Sequence, residues 1–164
     1  MNRLLTGTVL SVLLSLPAQA ADRITDVQIQ QVIKDTDAAA MNRDTAGVGG
    51  YLSDSFEKTI EVRHEKSMAQ VKLHKDEYLE LIDKGWPTLE EYNCQREDIV
   101  IHITEDGLTG QSYSTITETL SLDGKRMVSK FREHALYAME NGRPVITQIS
   151  GHTLVGDTMP VPGQ

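Results

Sequence analysis

The sharpest chemistry in the sequence is one carboxylate, Glu133, set in the run Lys125–Glu140. Successive side chains of a strand point to opposite faces. One face of this run carries Met127, Ser129, Phe131, Glu133, Ala135, Tyr137 and Met139, and the other carries Val128, Lys130, Arg132, His134, Leu136 and Ala138. The first set is the more apolar and is expected to face the core. Glu133 would then lie among Phe131, Tyr137 and methionines, partly desolvated, with its pKa raised toward the range of a general base. The bland alternative is a carboxylate at the mouth of the fold, or paired with an arginine, that does nothing chemical. Catalytic candidates are therefore Glu133 as base, with Tyr137 or Tyr113 donating a hydrogen bond to a developing oxyanion.

The five histidines have no metal-ligand spacing, since neither H-x-H nor H-x-x-x-H occurs. His134 and His152 share the even-numbered face of their strands with Arg132 and Gln148. That face is expected to be the outer one, and the pair to lie at a seam between two copies. If the faces are inverted, His134 and His152 become the pocket residues and Glu133 leaves. No G-x-S-x-G, Walker loop or dinucleotide fingerprint appears, so no metal and no cofactor is expected. The lone cysteine, Cys94, is either a reactive thiol or a small, partly buried apolar residue, and burial is the commoner fate.

The elements that must position these groups are read from turn chemistry and periodicity. Ile99–Thr104, Gln111–Leu122, Lys125–Glu140 and Val145–Val155 read as strands, joined by Glu105-Asp106-Gly107, Asp123-Gly124 and Asn141-Gly142. Asp-Gly and Asn-Gly suit type I′ hairpin turns, which need positive φ at both central residues. The C-terminal half is thus expected to be an antiparallel meander. Before it, Asp26 to Arg43 reads as a helix capped by Thr25 or Asp26, with Val27, Ile29, Val32, Ile33, Thr36 and Ala40 mostly on one face. Tyr51 to Phe56 is a short bridge, Glu57 to Glu65 a strand and Met68 to His74 its hairpin partner. Lys75 to Lys84 is a second helix, ended by Gly85 and Pro87. Trp86, the only tryptophan, either walls a cavity or anchors the core under that helix end. Thr88 to Arg96 leads into the sheet as an extended segment.

Residues 1–20 read as a secretory leader. Arg3 precedes the apolar run Leu4 to Leu16, and Ala18-Gln19-Ala20 is a small-x-small cleavage pattern. The run is shorter than the ~20 apolar residues that span a bilayer. Cleavage after Ala20 and a periplasmic or secreted protein are expected, with no membrane span afterwards. Residues 21–156 form one domain of ordinary size, and 157–164, with two prolines, a loose tail. Removing the leader takes the formal charge from −8 to −9, since Arg3 is the only charge removed. That balance argues against nucleic acid and anionic membrane surfaces as partners.

The order of elements resembles the NTF2-like superfamily, including its SnoaL-like and DUF4440-type members. Two local patterns carry the resemblance. Tyr51-Leu52-Ser53-Asp54-Ser55-Phe56 is similar to that family's Y-L-x-D-x-F. Lys130 to Tyr137, Asn141-Gly142-Arg143 and Ile149-Ser150-Gly151-His152-Thr153 resemble its R-x-T-x-V-[YW]…D-G-x-W-x-I-V-x-x-H-x-S. The chain departs at Pro144, where Trp is usual, and at Thr153, near a common Ser. The resemblance implies an α+β cone, with N-terminal helices packed in the concave face of a bent antiparallel sheet. It also implies a pocket at the open end and a homodimer through the outer sheet face. By the family's register, Tyr113, Thr115 and Thr117 turn inward as orientation groups for a small ligand, and Phe131, Trp86 and Tyr51 line the pocket.

Three functions follow, in order. The first is an exported ligand-binding or interaction domain without catalysis, the second an isomerase or dehydratase with Glu133 as base. The third is a protein that binds a basic partner through its acidic surface.

Overall fold

The computed structural model describes residues 23–64 and 67–156, with the expected leader and tail outside them. Helix α1 spans Asp26–Met41, α2 Thr45–Gly49 and α3 Lys75–Gly85, with a 3-10 turn at Trp86–Thr88. The strands are β1 Leu52–His64, β2 Ser67–His74, β3 Glu91–Ile103, β4 Thr109–Leu122, β5 Lys125–Glu140 and β6 Arg143–Gly156. They form one six-stranded sheet in the order β2-β1-β6-β5-β4-β3. The fold is an α+β cone, with helices in the concave face of a curved, unclosed sheet.

The turn chemistry explains the meander. Asp123-Gly124 and Asn141-Gly142 hold φ of 51°, 70°, 51° and 77°, the paired positive values that a type I′ turn demands. Thr25 caps α1, accepting from the Gln28 N–H at 3.3 Å, while Gln28 Oε1 accepts from the Thr25 N–H at 2.9 Å. Ile29, Val32 and Ile33 of α1 are sealed against Phe56, Ala135, Tyr137, Ile146 and Ile149. Close seating of the helix requires Gly110, where an added Cβ would lie 2.6 Å from Ile29 Cδ1.

Three expectations need correction. The sheet is not wholly antiparallel, because β1 runs parallel to β6, pairing Leu52 with Ile146 and Lys58 with Ile149. The two strands lie far apart in the chain, with β2, α3 and the meander β3–β5 between them. The bridge beginning at Tyr51 is mostly strand, since β1 starts at Leu52. The segments Thr88–Arg96 and Ile99–Thr104 belong largely to one strand, β3, broken by a register shift between Glu97 and Val100. There Asp98 takes φ of 53°. A bulge adds a residue to one strand and so reverses which face later side chains use. Arg96 before it and Ile101 after it therefore both face the helices.

Candidate functional site

The interior of the cone is organised by one arginine. Arg96 donates through Nε and Nη2 to both carboxylate oxygens of Asp37 on α1, at 2.9 and 2.8 Å. Its Nη1 donates to Glu133 Oε1 on β5 at 2.7 Å and to Ser114 Oγ on β4 at 2.6 Å. Forked, charge-assisted bonds of this kind are the strong ones and fix geometry as well as charge. Burial works against the guanidinium's charge, but the Asp37 hydrogen bonds and the Glu133 carboxylate outweigh it, so Arg96 is held even more firmly protonated than usual.

Glu133 does face inward, only 7% exposed. It is not the isolated carboxylate among apolar chains that the alternation suggested. Arg96 and Ser114, from two other strands, converge on it. Tyr137 is sealed at 2% exposure, its hydroxyl 3.0 Å from Ser112 Oγ. Burial pushes the phenol up to about 12.

The other expected residues divide. Phe131 lies on the inner face, half-buried, opposite Ile116. Trp86 is core, its ring centroid 6.4 Å from that of Tyr92. Tyr51 packs at the rim of the core and donates to Asp35 at 2.8 Å. Tyr113, Thr115 and Thr117 stand on the opposite face from the one expected. The register of β4 with β5 runs unbroken, and Ser112 and Ser114 already occupy the inner positions. Tyr113 instead stacks on His134 with centroids 4.4 Å apart and rings 2° from parallel. His134 shares Gln111 Oε1 with it, at 3.1 Å. His152 lies on that outer face too, its Nδ1 3.2 Å from Glu61 Oε2. Cys94 is half-buried and its thiol is pushed up to about 12, chiefly by burial, so it is a structural thiol.

A groove of about 640 Å³ opens between α1 and β3, directly over the Asp37–Arg96 pair. Val27, Ile33, Ile99 and Ile101 give it apolar walls, and Gln30 and Gln31 add amides. Its charged lining is balanced, Asp26 and Asp37 against Lys34 and Arg96. Among the described residues no cluster has the make-up of a metal site. Asp37 and Arg96 went unnoticed in the sequence. Asp37 falls four residues after Ile33, on the apolar side of α1, which was the available signal.

No family model matches the sequence, and no curated protein matches it. Solved structures do match in shape. A hexachlorocyclohexane dehydrochlorinase, LinA type 2, superposes with a TM-score of 0.65 at 13% identity, over 84% of this chain and 94% of that one. The LinA-type3 enzyme from Novosphingobium barchaimii gives 0.64 at 12% identity, over 84% and 90%. An NTF2-like protein from Cytophaga hutchinsonii gives 0.64 at 15% identity, over 80% of this chain and all of that one.

Proposed function

Because the chain has the NTF2-like fold, we propose that it is an exported protein that binds a small, uncharged molecule in the groove between α1 and β3, without chemistry of its own. One observation carries this reading: the two carboxylates beside the groove, Asp37 and Glu133, are spent on Arg96. Asp37 and Glu133 hold four of its five N–H donors together with Ser114, so neither stands free as a base. What remains beside them is a space of small-ligand size with balanced charge and mixed apolar and amide walls. The dehydrochlorinases of the same fold act on hexachlorocyclohexane, which supports a small organic ligand as the class.

Export is part of the proposal and rests on the leader pattern at residues 1–20. N-terminal sequencing of the protein from the envelope or medium should read from Ala21. Among the described residues no helix is long and apolar enough to cross a membrane. A homodimer through the outer sheet face is supported by the exposed apolar side chains Val100, Tyr113 and Val128.

The test of the binding reading is a thermal-shift screen of the mature chain, run in parallel on Gln30→Trp, which fills the groove. Binders should raise the midpoint with dose in the parent and lose that effect in the variant. Binders that shift both proteins equally would overturn the groove as their site.

A further inference from the structure

The sheet ends at β3, and the two halves of that edge differ. Backbone groups alternate along a strand, toward the neighbouring strand and away from it. Before the bulge, the N–H of Cys94 points away from β4 and is taken by Met41 Sδ at 3.1 Å. After the bulge, Val100 pairs with Tyr113 and His102 with Gln111, and the Thr104 N–H donates to the Thr109 carbonyl. The N–H and C=O groups of Ile101 and Ile103 therefore point away from β4. Among the described residues no hydrogen bond reaches them.

Exposed sheet edges are normally blunted by charge, by a bulge or by cover, because unpaired backbone is a template for another strand. The first half of β3 is blunted by Met41 and by the bulge at Asp98. Residues 99–103 are not: they carry isoleucine, valine and histidine, with no formal charge. Ile99 and Ile101 line the groove, with Val27 exposed across it, and Val100 is exposed on the outer face. Apolar side chains thus straddle the open edge. Acids stand at both ends of it, Glu97 and Asp98 before and Glu105 after, all exposed. Among the described residues none of the three joins an ion pair.

We propose that residues 99–103 are a docking edge for an extended peptide with an apolar middle and basic ends, which adds to the sheet beside β3. The open backbone groups of Ile101 and Ile103 hold its main chain, and strand addition takes its affinity from such bonds. Directly opposed residues of paired strands share a face, so every second side chain of the peptide lies beside Ile99 and Ile101, toward Val27. Glu97, Asp98 and Glu105 select lysine or arginine at its ends. The same acids disfavour a second copy as the occupant. Two chains paired antiparallel about Ile101 would bring Glu97 of each near Glu105 of the other, and like charges across a ladder repel. The edge borders the groove but does not require the groove to hold a ligand.

The test is calorimetric titration of the mature chain with the peptide acetyl-Lys-Val-Thr-Val-Thr-Val-Lys-amide. Binding should slow amide hydrogen exchange at Ile101 and Ile103. N-methylation of the valines, whose N–H groups meet β3, should weaken binding about tenfold or more, and N-methylation of the threonines, whose N–H groups face solvent, far less. Replacing both lysines of the peptide by glutamate should weaken it about tenfold, and the double variant Glu97→Lys with Glu105→Lys should reverse that order. No heat at millimolar peptide would overturn the proposal. So would full affinity after valine N-methylation, since side chains alone would then hold the peptide. A peptide that binds only by splitting a dimer of the chain, read as a halved mass in sedimentation, would give the edge to a second copy and equally overturn it.

Discussion

Arg96 and Glu133 meet 2.7 Å apart inside the cone although their strands, β3 and β5, are not neighbours in the sheet. The guanidinium reaches over β4, touches Ser114 on the way, and ties the edge strand to the sheet interior and to α1. Arg96→Met would leave two inward carboxylates without their cation. Breaking a buried pair from one side costs about 3–5 kcal/mol. Urea unfolding should show a loss of that order. Glu133→Gln keeps the Asp37 fork and a hydrogen-bonding side chain, so its loss should be smaller, about 1–3 kcal/mol. Equal losses in the two variants would refute the asymmetry.

The bulge at Asp98 decides which side chains reach the interior. A non-glycine residue in the left-handed region costs about 1–2 kcal/mol, and less for Asp, which can bond locally. Asp98→Gly should therefore be neutral or stabilising by up to about 1 kcal/mol. Deleting Asp98 should be far worse, because one residue fewer turns either Arg96 or Ile101 outward. Thermal unfolding of the two variants separates these outcomes.

The Cys94 thiol and the Tyr137 phenol are among the acids that shape the alkaline limb of stability. The Cys94 thiol rises from 9.0 to about 12, and the Tyr137 phenol from 10.0 to about 12, both mainly through burial. The folded state thus holds protons that the unfolded chain gives up. Stability is unaffected below about pH 8 and falls as pH rises through 9 to 12. Cys94→Ala should flatten the first part of that fall. For the same reason, a thiol reagent at pH 8 should label Cys94 slowly in the native chain and rapidly in urea.

Much of the fold was legible, and for identifiable reasons. Asp123-Gly124 and Asn141-Gly142 have few conformations open to them, so they fix the hairpins. The apolar alternation of β5 turned Glu133 inward. The same test applied to β4 favours Ile116 and Leu120, both 2% exposed, and so the Ser112–Ser114 face. Family register pointed to Tyr113, Thr115 and Thr117 instead, and good strand formers sit on either face. Arg96 was not legible, because the bulge that turns β3 leaves no period in the sequence, whereas Asp37 carried a signal in its i+4 spacing from Ile33.

The most direct test of groove binding is a methyl NMR titration of the mature chain, with isoleucine δ1 carbons labelled, using a binder from the thermal-shift screen. The account predicts that Ile33, Ile99 and Ile101 shift together and saturate with one affinity, while Ile146 and Ile149 on the sheet floor stay still. Shifts at Ile146 and Ile149 without Ile99 and Ile101 would contradict it, since the ligand would then lie elsewhere than between α1 and β3.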